Sequence, residues 1–188
     1  MLHLDKNIIL GSKSPRRQEL LKGLDIEFQV EAKDTDESYP PEMDLEKIAV
    51  YLAEKKAEAY TLAEKDLVIT ADTVVLIGNR ILEKPATTHE AHQMLRALSG
   101  NTHTVITGVC MRDINKKICF DDTTEVHFAN LSDAEIEFYI GRCKPFDKAG
   151  SYGVQEWVGY VAVYKMEGSF YNVMGLPVHK VYEQLKKW

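Results

Sequence analysis

The chain has 188 residues, with 23 Lys and Arg against 29 Asp and Glu, 45% hydrophobic and 28% charged residues, and a formal net charge of −6. That is the composition of an ordinary soluble globular protein with one sizeable core. The acidic balance excludes long-range steering toward nucleic acid, so a phosphate site here has to be a local basic pocket in an acidic shell. No apolar run approaches membrane-spanning length and the N-terminus lacks a signal-peptide pattern. Cys110, Cys119 and Cys143 are an odd count without metal-ligand spacing, which reads as reduced thiols and predicts a cytoplasmic protein.

The pattern predicts a strand over 7–11, a helix over 15–23 packing through Leu20, Leu21 and Leu24, and a second strand over 26–30. A polar loop follows over 33–41. Asp44 then caps a long helix predicted to run to 63, with an apolar stripe of Leu45, Ile48, Ala49, Leu52 and Ala53. Residues 67–77 form a near-continuous β-prone run that Gly78-Asn79 turns into a hairpin with 80–82. A helix over 88–98 ends at Ser99-Gly100, and strands over 102–112 and 117–130 flank a turn at Asn115. Ser132 with Glu135 forms a capping box for the next helix. A Gly-rich segment, a hairpin turning at 167–169 and a last helix from Pro177 complete the chain. Hairpins mixed with helices predict an α/β protein with a mixed sheet.

Residues 8–17 read Ile-Ile-Leu-Gly-Ser-Lys-Ser-Pro-Arg-Arg. A strand ends in Gly and two serines, and Ser14 and Pro15 are N-cap and N1 signals. Arg16 and Arg17 fall in the first helical turn, where the macrodipole prefers acids. Backbone N–H groups, the Ser12 and Ser14 hydroxyls and the guanidinium groups therefore converge where an oxyanion would be held; a strand–loop–helix with a solvated Arg pair is the alternative. Asp72 interrupts an apolar β-run, where an ionised carboxylate is costly unless paired or bound to metal. Lys56 shares the apolar face of its helix with Leu52 and Ile48, whereas Lys55 falls on the solvated face; Lys56 either snorkels or enters a polar cleft. Lys84 precedes Pro85 and is therefore extended. Residues 147–153, Asp-Lys-Ala-Gly-Ser-Tyr-Gly, combine opposite charges with two glycines, either as a plain loop or as backbone approaching a ligand. His103 reads as a hydrogen-bonded structural histidine.

Together these residues supply the cations Arg16, Arg17, Lys56, Lys84 and Lys148 and the carboxylates Glu37, Asp72 and Asp147. That is the inventory for cleaving a polyphosphate, and no Walker loop is present. The combination resembles the Maf proteins, the septum-formation-inhibitor-type nucleoside triphosphate pyrophosphatases. The matching pieces, in order, are Ser-Lys-Ser-Pro-Arg-Arg at 12–17, Asp-Glu at 36–37, Leu-Ala-Glu-Lys-Lys-Ala at 52–57 and Ala-Asp-Thr-Val-Val at 71–75. They continue with Glu-Lys-Pro at 83–85, Ser-Gly-Asn-Thr-His at 99–103 through Thr107-Gly108, and Asp-Lys-Ala-Gly-Ser-Tyr-Gly-Val-Gln at 147–155.

The resemblance implies an α/β fold with a mixed, twisted sheet and flanking helices, two lobes around a central cleft, and one domain over 1–188. It implies hydrolysis of a nucleoside triphosphate to monophosphate and pyrophosphate with a divalent metal, Mg or Mn, and, by resemblance alone, a homodimer. By position, Asp72 matches the proton acceptor; Arg16, Arg17, Lys56, Lys84 and Lys148 match phosphate-binding cations, with Lys56 and Lys84 counted as catalytic. Glu37, Asp72 and Asp147 would hold the metal, and Arg16, Thr73 and Gln155 would choose the base. Ala-Asp-Thr belongs to the branch acting on dTTP and UTP, whereas a sister branch has Ser-Asp-Gln and handles nucleotides such as 7-methyl-GTP. Glu156-Trp157 departs from the Gly more often found after the Gln, which opens a different base preference. A nucleotide-binding regulator of septation acting through a protein partner, and a monophosphate phosphatase, are the competing readings. The former has no use for a costly carboxylate in an apolar strand, and the latter leaves five dispersed cations unexplained.

Overall fold

The computed structural model describes residues 4–188. Among the described residues seven strands are hydrogen-bonded in one sheet: β1 (Asn7–Leu10), β2 (Gln29–Val30), β3 (Asp66–Ile77), β4 (Arg80–Leu82), β5 (Thr102–Arg112), β6 (Lys117–Phe128) and β7 (Val163–Glu167). Their order is β2-β1-β3-β5-β6-β7, with β4 beside β3. β1 runs parallel to β2 and β3, while the β3–β4 and β6–β7 pairs are antiparallel. The sheet is therefore mixed, as the combination of hairpins and helices predicts. The helices are α1 (Pro15–Lys22), α2 (Ile48–Glu58), α3 (Thr88–Leu98), α4 (Asp133–Cys143), α5 (Trp157–Ala162), α6 (Phe170–Met174) and α7 (Val178–Leu185). Single 3₁₀ turns occupy Leu45–Lys47 and Ala149–Ser151. Among the described residues no helix is long and apolar enough to cross a membrane.

The residues sort into two units. The first holds the chain up to Asp72, Thr107–Asp122 and Gly175–Trp188; the second holds Thr73–Ile106 and Thr123–Met174. Three strands, β3, β5 and β6, contribute to both, and in β3 the division falls between Asp72 and Thr73.

In the first unit α2 buries Ile48, Ala49, Leu52, Ala53 and Ala57. Its alanines let the helix backbone lie directly on β5: a Cβ at Gly108 would overlap the carbonyl carbon of Ala49. Gly11, just after β1, is under similar constraint, since a Cβ there would stand 2.7 Å from Thr70 Cγ2 and 2.8 Å from the Tyr60 hydroxyl. The second unit is built on Leu95, Leu98, Ile106, Phe128, Ile136 and Tyr139, all fully buried.

Three elements differ from the sequence expectation. The helix predicted over 44–63 opens as a 3₁₀ turn, with Asp44 accepting the Glu46 N–H, and its α-helical part stops at Glu58. The end is capped by a tertiary contact: Arg112 donates Nη2 to the carbonyl of Ala57 in the last helical turn at 2.9 Å and to that of Tyr60 just beyond the helix at 2.6 Å. The strand predicted over 26–30 shrinks to an exposed two-residue edge at Gln29–Val30. The predicted hairpin at 167–169 is absent; Gly168 (φ 133°) leads instead into α6, where Ser169 Oγ accepts the Asn172 N–H, and β7 pairs backward with β6. The hairpin at Gly78, the helix after Thr87 and the Ser132–Glu135 capping box form as predicted.

Candidate functional site

In the first unit the phase of α2 brings Lys56 to the edge of its buried stripe, and β3 delivers Asp72 immediately after buried Ala71. The Lys56 ammonium donates to Asp72 Oδ1 and pairs with Glu37 Oε1 at 2.8 Å. The Lys56 and Asp72 side chains are 15% and 14% exposed, Glu37 51%. Lys56 therefore enters a polar cluster and does not snorkel to solvent.

Arg17 flanks the cluster. Its Nε donates to the Gly175 carbonyl and its Nη1 to the Ala71 carbonyl, both at 2.7 Å. Burial lowers the proton affinity of this guanidinium, and the Asp72 and Glu37 carboxylates oppose that effect. An arginine stays charged under such pressure, so Arg17 and Lys56 meet two carboxylates here, and the Arg16 charge also acts on Arg17. At least two of the five Arg17 N–H donors are committed to backbone.

Ser12 is buried and its Oγ accepts the Ser14 N–H at 3.2 Å, whereas Ser14, the α1 N-cap residue, makes no side-chain cap bond. Arg16 is half-buried in the first turn of α1.

The loop carrying Glu37 is clamped by neighbours to which the sequence reading gave no such role. Lys55 Nζ pairs with Asp36 Oδ2 at 2.8 Å and donates to the Ser38 carbonyl at 3.0 Å. The bond from Lys55, with those from Ser38, holds the Asp36 carboxyl well below the usual carboxylate range. Lys55 is thus a clamp as well as a member of the solvated face, and the adjacency of Asp36-Glu37 and Lys55-Lys56 was the signal available.

The second unit holds Thr73, Lys84, Asp147, Lys148 and Gln155. The Gly150 N–H donates to the Glu83 carbonyl at 3.2 Å, tying the 147–151 turn beside Lys84. Gly150 (φ 69°) and Ser151 (φ 62°) are both left-handed, and a Cβ on Gly150 would lie 3.0 Å from Val75 Cγ1. A serine in that region is strained, the kind of cost that clusters at functional loops. The turn points Lys148 inward: its side chain is 8% exposed, with Nζ 2.8 Å from Asp147 Oδ1 and 3.1 Å from Glu156 Oε1. Gln155 Oε1 is buried and accepts no hydrogen bond. His103 is a structural histidine, as the sequence suggests: Nε2 lies 2.7 Å from the Tyr152 hydroxyl, and burial pulls its pKa down to about 4.

Glu37 and Asp72 thus meet at one ammonium, while Asp147 pairs with Lys148. Among the described residues the group of three whose ligand atoms lie within 4.8 Å of one another is a different set, Glu125, His127 and Glu167. There Glu167 already pairs with Lys165 at 2.8 Å and with His127 at 3.1 Å.

A family model described as Maf-like protein matches residues 7–188. A dTTP/UTP pyrophosphatase of Porphyromonas gingivalis is 55% identical over 184 residues, covering 95% of this chain and 92% of that protein. The dTTP/UTP pyrophosphatase of Parabacteroides distasonis is 52% identical over 182 residues, with 95% and 94% covered, and that of Bacteroides fragilis 46% over 191 residues, with 100% and 99% covered. Among solved structures, a Staphylococcus aureus Ham1 protein is similar at 17% identity and a TM-score of 0.46, over 66% of this chain and 73% of that one. With a family model spanning nearly its whole length and relatives at half identity or more, the chain belongs to the Maf family.

Proposed function

We propose that the protein hydrolyses nucleoside triphosphates, dTTP and UTP foremost, to the monophosphate and pyrophosphate. The observation that carries this is the Lys56–Asp72–Glu37 cluster with Arg17 at its back. Relatives at 46–55% identity named dTTP/UTP pyrophosphatase support the same reading.

In this reading Asp72 accepts a proton from water as its oxygen attacks the α-phosphorus. The α–β bridging bond breaks and pyrophosphate departs with the bonding pair. A carboxylate held against an ammonium in a largely buried setting is ready for that role once the ammonium turns to phosphate. The reaction needs position and charge neutralisation more than covalent chemistry. Arg17 braces the backbone of the residue before the base and adds positive charge. Ser12, Ser14 and Arg16 at the start of α1, and Lys84 and Lys148 in the second unit, bind phosphate oxygens.

The donor set fits a divalent cation: Glu37 and Asp72 offer hard carboxylate oxygens, and Mg²⁺ is commonly held by one or two carboxylates plus substrate phosphates. Lys56 and Arg17, with Arg16 nearby, face the Glu37 and Asp72 carboxylates, and an incoming triphosphate brings further negative charge that such an ion, Mg or Mn, would neutralise when bound to Glu37 and Asp72.

Base choice is assigned to Gln155, Thr73 and Arg16. Gln155 Oε1 has no donor within the protein; turned toward the base, it accepts the N3–H of uracil or thymine, whereas cytosine N3 is an acceptor. Incubation with dTTP and divalent metal tests the reading. Release of dTMP and pyrophosphate is expected; dTDP with phosphate would make it a phosphatase, and binding without turnover a sensor.

A further inference from the structure

The Glu156 carboxylate does not cap α5, the helix that begins at the next residue. It turns back instead. Oε2 accepts the Tyr139 hydroxyl proton and Oε1 takes the Lys148 ammonium at 3.1 Å. Tyr139 is 1% exposed, and its oxygen also accepts the Gly153 N–H at 3.0 Å, so the phenol is fixed from two sides. Burial and then the bond to Glu156 push the phenol's pKa upward, which keeps it a donor. The fold-back depends on Gly153, where a Cβ would stand 2.9 Å from Glu156 Cδ and 3.1 Å from Gln155 Nε2.

The two carboxylates at Lys148 are not equivalent. Asp147 is 57% exposed, so water competes for it. Glu156 is 23% exposed and anchored by a buried phenol, so it fixes the direction in which the ammonium lies. Glu156 is also the residue after Gln155. The Glu156 N–H closes onto the Gly153 carbonyl at 2.9 Å, making Gly153 to Glu156 one tight turn.

We propose that Tyr139 and Glu156 are positioning residues for Lys148: they orient its ammonium for the polyphosphate and tether it to the short turn that carries Gln155. This rests on the nucleoside triphosphate reading above. A cation set by a rigid carboxylate contributes through alignment, which acts on turnover more than on substrate affinity.

The test measures kcat and KM for dTTP, with thermal unfolding, for Tyr139→Phe and Glu156→Gln in the wild-type and Lys148→Ala backgrounds. Glu156→Gln keeps an acceptor for the phenol but turns an NH₂ toward the ammonium. Each variant is expected to lower kcat about tenfold with KM within about twofold, and to add less than about twofold to the loss in Lys148→Ala. Wild-type kcat in both variants, or the same tenfold loss with Lys148 already removed, overturns the proposal, the second result marking a packing role. If Tyr139→Phe does not fold, Glu156→Gln decides alone. A wild-type protein that releases no pyrophosphate defeats the functional reading and this proposal together, whereas a turning-over wild type with unaltered variants defeats the positioning role alone.

Discussion

The Arg17 guanidinium donates to the carbonyl of Ala71 at 2.7 Å, and Ala71 is the residue before Asp72. A side chain from the first turn of α1 thus sets the backbone from which the proposed base projects. The forked shape matters, because Nε reaches the Gly175 carbonyl at the same time. Arg17→Lys keeps the charge and loses the fork. The expected result is a stability loss of about 1–3 kcal/mol and a kcat lowered about tenfold or more. A variant matching wild type in chemical denaturation and in turnover would show that the carbonyl contacts are incidental.

Lys56 and Asp72 are coupled, each 15% exposed or less at its side chain. Removing one partner strands the other's charge. Lys56→Met is expected to destabilise the protein, and adding Asp72→Asn to recover part of that loss, with a coupling of about 1–3 kcal/mol. Activity does not recover: Asp72→Asn alone should cost about 100-fold or more in kcat. Lys55→Ala breaks an exposed clamp and should cost no more than about threefold. Strictly additive stabilities for Lys56→Met and Asp72→Asn would contradict the pairing.

The orphaned Gln155 Oε1 makes a prediction about base choice. On one preparation kcat/KM for UTP and dTTP should exceed that for CTP by about 10-fold or more, because cytosine leaves the acceptor unpaired. Gln155→Ala should flatten the difference. A preference that survives Gln155→Ala would move base reading to other residues.

His103 carries a pH signature. It is 1% exposed, edge-on to Phe128 and Tyr152, with its pKa brought down by burial to about 4 from an ordinary 6.5. The unfolded chain takes up the proton first as pH falls. The neutral ring's contribution is therefore intact above about pH 6.5 and lost progressively toward pH 4, a change of about 3 kcal/mol. Unfolding free energies at pH 7.5 and pH 4.5 should fall further for wild type than for His103→Gln. Parallel falls would remove His103 as the cause.

Local rules reach part of this architecture. Helical periodicity separates Lys56 from Lys55 and puts the former beside the buried stripe, and the apolar run around Asp72 marks a carboxylate that needs partners. The Gly78 turn and the Ser132–Glu135 box are short-range chemistry and form as expected. The features that escape are long-range. The end of α2 is capped by Arg112, more than fifty residues downstream of Ala57. Ser169 and Asn172 start a helix where the turn residues suggest a second strand, and Asn172 Nδ2 reaches the Val105 carbonyl at 3.1 Å. Glu156 reads in sequence as a bulky neighbour of the base pocket, but its carboxylate is engaged by Tyr139 and Lys148. No periodicity encodes a side chain that folds back over a glycine.

At Gly108 the missing side chain works as a mechanical stop. Because α2 rests backbone-to-backbone on β5 there, with no flexible group between, the helix cannot rotate or slide without climbing over the strand. Two turns farther along the same rigid rod stands Lys56. The tolerance to which its ammonium is held is thereby set at a place that carries no chemistry, so a methyl group added at residue 108 would be felt as misalignment at the carboxylates.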